Sequence, residues 1–160
     1  MTTIVADKRE RCMMADNQST LYQNIAVPTQ KIWRIGDGPN EGTLVGTSGA
    51  SGPCLVFIEW FRTHAEHDFK ECFDDNQFMQ IEEEEDFICV LLTPDNKIQI
   101  VDRFFIPEDV PLTYYSVGSG SKIALGAMDF GASATEALDI ACKRCVYTSK
   151  MGRPYQRMEL

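Results

Sequence analysis

The chain has 160 residues, 44% of them hydrophobic, and its fifteen basic and twenty-four acidic side chains leave a net charge of -9. That length suits a single domain over residues 1–160, able to bury about 70% of its unfolded surface. The negative charge repels phosphate backbones and anionic lipid, and no apolar run approaches the roughly eighteen residues of a membrane span, so neither nucleic acid nor a membrane is an expected partner.

The first strand is expected from Thr2 to Lys8, and its apolar start is broken at once by Asp7-Lys8-Arg9-Glu10-Arg11. A signal peptide has no such interruption, so the chain reads as cytoplasmic. Thr2 also carries a chemical possibility. A hydroxyl residue directly behind Met1 becomes, once that methionine is removed, a chain terminus with both a nucleophile and an amine titrating near 8. A second strand, around Cys12-Met13-Met14-Ala15, follows the charged turn. Asn17-Gln18-Ser19-Thr20 has turn chemistry, and Lys31 to Ile35 alternates with period two as a strand should.

Another strand is expected from Gly42 to Gly46, then a flexible loop over Thr47-Ser48-Gly49-Ala50-Ser51-Gly52-Pro53 whose backbone donors no bulky side chain shields. Apolar residues at 54, 57, 58, 61, 65, 69, 72 and 73 have helical spacing and predict one long helix from Cys54 to Phe73. A short second helix is expected up to Ile81, and the acidic run from Glu82 to Asp86 reads as a solvated loop. Phe87 to Thr93 and Lys97 to Phe105 flank Pro94-Asp95-Asn96 as a hairpin. Ile123 to Met128 enters a buried helix. Ser133-x-x-Glu136 is a capping box for the next helix, with an apolar face of Ala134, Ala137, Leu138, Ala141, Cys142 and Cys145. A final strand is expected near Val146. Strands, helix, strands, helix, strand predict helices covering both sides of a mainly antiparallel double sheet.

Six cysteines in such a chain read as buried reduced thiols. Cys142-x-x-Cys145 has no second pair to complete a zinc site, and His64-x-x-His67 reads as a solvated helix face. No metal and no cofactor is expected.

In this order the motifs resemble the proteasome β-subunit family, and most closely its bacterial HslV-type peptidases, over nearly the whole chain. Thr2-Thr3-Ile4-Val5 is similar to the mature N-terminus, Ala15 to Thr20 to the aspartate turn, and Gln30-Lys31-Ile32 to the buried lysine. Val45 to Ala50 is similar to the glycine-rich loop, Val117-Gly118-Ser119-Gly120 to the serine loop, and Ala137 to Thr148 to the C-terminal helix and strand. The resemblance implies a four-layer αββα sandwich of the N-terminal nucleophile hydrolase class. It further implies a threonine endopeptidase acting on unfolded polypeptides inside a homo-oligomeric stacked ring, fed by an ATP-dependent unfoldase.

The resemblance also assigns roles. Thr2 is the nucleophile, Lys31 lowers the proton affinity of the Thr2 centre, Asp16 holds Lys31 charged, and Ser119 orients the terminal amine. The Gly49 N–H stabilises the oxyanion; Gln18 and Thr20 line the substrate strand, and Thr47 floors the primary specificity pocket with a small polar surface. Two departures stand out. Arg144 falls where the family commonly has an aspartate, and the helix from Phe73 to Ile81 is short. The alternative expectation is a catalytically inactive assembly protein of the same fold with Met1 retained.

Overall fold

The computed structural model describes residues 2–21, 25–65, 87–102 and 106–160. The second helix expected up to Ile81, the acidic run 82–86, His67, the far part of the long helix, Phe105 and Met1 lie outside them.

Strands β1 (Ile4–Asp7) and β2 (Cys12–Ala15) form the hairpin expected at the start of the chain. They are the middle of a four-stranded sheet completed by β10 (Tyr114–Val117) beside β1 and β11 (Gln156–Glu159) beside β2. A second, five-stranded sheet takes β5 (Ile32–Arg34), β6 (Leu44–Gly49), β7 (Phe87–Leu92), β8 (Ile98–Val101) and β9 (Pro107–Val110) in chain order. A separate hairpin pairs β3 (Gln18–Leu21) with β4 (Ile25–Pro28). Every pairing among the described residues is antiparallel. Among the described residues the helices are α1 (Ser51–Thr63), α2 (Ser121–Asp129) and α3 (Ala134–Arg144).

Side-chain alternation stacks these parts into layers. On β1 and β2, Ile4, Ala6, Met13 and Ala15 point to the inter-sheet core, where they meet Ile32, Leu44, Val90, Leu92 and Ile98. The opposite faces, Val5, Cys12 and Met14, pack on Ala124 and Met128 of α2 and on Ala134, Ala137, Leu138 and Ala141 of α3. Across the molecule Val45, Cys89 and Leu91 turn outward onto Phe57, Trp60 and Phe61 of α1. Strands covered on both faces are apolar at nearly every position, which is why Cys89-Val90-Leu91-Leu92 shows no polar alternation. The sheets approach closely at Gly46, where a Cβ would lie 2.8 Å from both Ile4 Cγ2 and Met13 Sδ.

The capping box is present, with Ser133 accepting from the Glu136 N–H while the Glu136 carboxylate accepts from the Ser133 N–H. The hairpin at Pro94-Asp95-Asn96 also forms.

Several boundaries differ from expectation. Gln18 to Thr20 is strand, not turn, because pairing with Ile25–Pro28 overrides the local polar signal. β6 runs three residues beyond Gly46, and Ser51-Gly52-Pro53 is the first turn of α1 rather than loop, a place where proline is tolerated. The helix ends at Thr63: His64 is its extended C-cap and stacks on Trp60 at 5.0 Å, so it does not stand on a solvated helix face. Cys142 and Cys145 are only half-buried and do not belong to the α3 core stripe. Val146 and Tyr147 form a turn with Val146 81% exposed, and the closing strand lies ten residues later. β9 was not expected, since Pro107-Glu108-Asp109-Val110 carries almost no strand signal.

Candidate active site

Thr2 and Thr3 enter β1, Asp16 leaves β2, and Lys31 immediately precedes β5, so residues from both sheets converge at one end of the inter-sheet core. Asp16 is fully buried and its carboxylate accepts four hydrogen bonds. Oδ1 takes the Thr3 N–H at 2.8 Å and Lys31 Nζ at 2.7 Å; Oδ2 takes the N–H groups of Gln18 at 3.0 Å and Ser149 at 3.2 Å. A buried carboxylate needs this saturation to stay satisfied.

Lys31 is 3% exposed, and its ammonium also donates to the Gln18 carbonyl. Burial holds the Lys31 ammonium below its ordinary proton affinity, against the attraction of Asp16, which works to raise it. The pair is thus a positive charge held at reduced proton affinity in a nearly dry place.

The Thr2 nitrogen donates to Ser119 Oγ at 3.3 Å, and the same hydroxyl donates back to the Thr2 carbonyl at 3.2 Å. Ser119 reaches this position because Gly118, at φ 94°, bends the chain out of β10; a Cβ there would lie 2.2 Å from the Thr2 carbonyl oxygen. Thr3 Oγ1 meets Thr148 Oγ1 at 2.7 Å, and Cys145 Sγ lies 3.8 Å from Ser119 Oγ. Although burial works to raise the Cys145 thiol, hydrogen bonding with Thr148, the Tyr147 backbone and Ser119 holds it below its ordinary range.

Thr2 and Lys31 open into a cavity of about 310 Å³ that Thr47 and Gly49 also line. Trp33, Cys54 and Leu55 supply its apolar wall. Thr47 is 6% exposed, and burial pushes the Cys54 thiol up against a hydrogen bond from Thr47. From β3 it is Ser19 that lines this cavity. Gln18 and Thr20 sit on the opposite side of the strand, with the Gln18 amide turned to the Val146 carbonyl at 3.5 Å and the Thr20 hydroxyl buried without a partner.

The structure therefore brings Thr2, Asp16, Lys31 and Ser119 together, puts Thr47 and Gly49 in the adjoining cavity, and turns Gln18 and Thr20 away from it. Arg144 ends α3 and is exposed. Sequence reading missed Ser19, Cys54 and Gln156. The turn chemistry of Asn17 to Thr20 conceals Ser19, and Cys54 carries only the signal of an apolar helix face. No local signal marks Gln156, whose partners are more than a hundred residues away.

Layers of helix, sheet, sheet and helix, with a threonine at the start of a central strand, define the N-terminal nucleophile hydrolase fold. The HslV-like form of that fold is found by comparison with solved structures. The chain aligns with eukaryotic HslV from Trypanosoma brucei at a TM-score of 0.69 and 16% identity, over 99% of each chain. It aligns equally well with BPH from Thiobacillus denitrificans, solved in complex with epoxomicin, at a TM-score of 0.69 and 18% identity over 99% of this chain and 98% of that one. No family model matches the sequence, and no curated protein matches it.

Proposed function

We propose that this chain is an N-terminal threonine endopeptidase, a single proteasome-like domain that works on unfolded polypeptides within a homo-oligomeric stacked ring in the cytoplasm. The observation that carries the reading is the contact of the Thr2 nitrogen with Ser119 Oγ at 3.3 Å beside the buried Lys31–Asp16 pair, with Thr2 and Lys31 lining one cavity. Removal of Met1 turns that nitrogen into a free amine.

In the proposed reaction the Thr2 hydroxyl oxygen attacks the substrate carbonyl carbon as its proton passes to the Thr2 amine. The developing oxyanion takes the Gly49 N–H, a kind of contact that typically contributes about 2.7–4 kcal/mol. The C–N bond breaks as the ammonium returns a proton to the departing amine. Water, deprotonated by the same amine, then releases the acyl group from the threonine ester. Lys31 keeps the proton affinity of this centre low by its charge, Asp16 keeps Lys31 in place, and Ser119 holds the amine toward the hydroxyl.

A pocket floored by Thr47 and walled by Cys54 and Leu55 fits small or medium apolar side chains. An ATP-dependent unfoldase is the partner that would deliver extended chains. Intact mass together with fluorogenic peptide hydrolysis tests the reading. Protein that begins at Thr2 should cleave after apolar residues; Thr2→Ala should abolish turnover, Lys31→Ala should come close to abolishing it, and the double substitution should be hardly worse than either. A uniformly retained Met1 would instead support an inactive assembly protein, and hydrolysis that survives Thr2→Ala would remove Thr2 as the nucleophile.

A further inference from the structure

Asp16 directly follows a strand of one sheet and Lys31 directly precedes a strand of the other, so their separation depends on how the two sheets are held. A single side chain fastens both backbones. Gln156, the first residue of β11, is opposite Ala15 in the β2 register, next to Asp16. Its Oε1 accepts the Lys31 N–H at 2.7 Å and the Ile32 N–H at 3.4 Å. Its Nε2 donates to the carbonyls of Asp16 at 3.1 Å and Thr29 at 2.8 Å, and to Asn17 Oδ1 at 3.2 Å.

A carboxamide is planar and presents acceptor and donors in fixed directions, so it transmits position better than a flexible contact does. Both ends of this one are in use, Oε1 on the lysine strand and Nε2 on both the aspartate turn and Thr29 just before Lys31. From this geometry we infer that Gln156 is a positioning residue for the proposed peptidase centre: it sets the Lys31–Asp16 ion pair by clamping the two sheets at the points where those residues leave them. The inference rests on the peptidase reading given above. It makes Gln156 act through Lys31 and Asp16, without touching substrate.

The experiment uses assembled, Met1-free protein. Gln156→Leu keeps the side-chain volume and removes the clamp. Gln156→Glu keeps the acceptor for the Lys31 N–H, loses the donor, and adds a negative charge near the pair. Gln156→Leu should lower kcat about ten- to a hundredfold, with KM within about twofold, because misplacement of about 1 Å in a catalytic group has consequences of that size. Gln156→Glu should retain more activity than the leucine variant, and its ascending pH limb should move to higher pH as the carboxylate raises the proton affinity of Lys31 and the Thr2 amine.

A folded Gln156→Leu with kcat within twofold of wild type overturns the inference, as does a Gln156→Glu pH profile superimposable on wild type. If the leucine variant fails to fold, the glutamate profile decides. If wild-type protein cleaves no peptide or Thr2→Ala retains activity, the peptidase reading fails by itself. The clamp is then judged by NMR titration of the Lys31 ammonium, which Gln156→Glu should raise; an unmoved titration removes it.

Discussion

Lys31 shows most clearly what a single residue undergoes on entering this fold. Its sequence setting is an alternating strand, and its destination is a site 3% exposed to solvent with Asp16 at 2.7 Å. Burial lowers its affinity for a proton below the ordinary value of 10.5, so the folded chain releases that proton before the unfolded chain does. Below the lowered value Lys31 is charged in both states and unfolding exchanges no proton there. Between that value and 10.5 the unfolded chain binds more protons, so this residue makes stability rise with pH, and above 10.5 the gain is complete. Lys31→Met should lose this alkaline rise and should leave the Asp16 carboxylate buried without its cation, a change of about 3–5 kcal/mol near neutral pH. Urea unfolding of both proteins between neutrality and pH 10.5 checks the slope and the offset together.

Among the elements, α3 was readable because its signals are local. Ser133 and Glu136 stand three apart, and the stripe at Ala134, Ala137, Leu138 and Ala141 is buried as its spacing predicts. The cap orders the first turn of the helix that backs β1 and β2, so Ser133→Ala should cost about 1 kcal/mol and lower Tm by about 2–4 °C, measured by thermal unfolding. β3 and β11 were not legible for the opposite reason. Gln18-Ser19-Thr20 and Gln156-Arg157-Met158-Glu159 are polar, and each is made a strand by a partner elsewhere in the chain, Ile25–Pro28 and Cys12–Ala15 respectively. Val146 misled in the other direction: its β-branched side chain suggests a strand, yet it stands 81% exposed in a turn. The motif residues Thr2, Asp16, Lys31 and Ser119 were individually ordinary and became informative only in series. The supports given by Thr148, Ser149 and Gln156 exist only after folding.

For the molecule as a whole, spacing between sheets matters as much as the identity of side chains. Gly46 pairs with Ile32 and Val90 in the middle of its sheet and faces Ile4 and Met13, both fully buried. A methyl group in that position forces Ile4 and Met13 to shift within the inter-sheet core. Gly46→Ala should therefore destabilise by about 1–3 kcal/mol, and under the proposed function it should also depress peptide hydrolysis by loosening the Lys31–Asp16 contact, although residue 46 is not assigned to the chemistry. Denaturant midpoint and kcat measured on the same preparation test both parts. A loss of stability with unchanged kcat would mean that the pair tolerates a shift of the sheets.

The cross-sheet seam also places this centre in the order of synthesis. Thr2 and Asp16 are made early, Lys31 soon afterwards, Ser119 much later, and Gln156, which ties Asp16 to Lys31, later still. A nascent chain lacking β11 has the nucleophile and its lysine but not the strand that borders β2 and fastens the two backbones. Under the proposed function, full competence to cut peptide bonds therefore waits until the late strand has joined the edge of the first sheet beside β2.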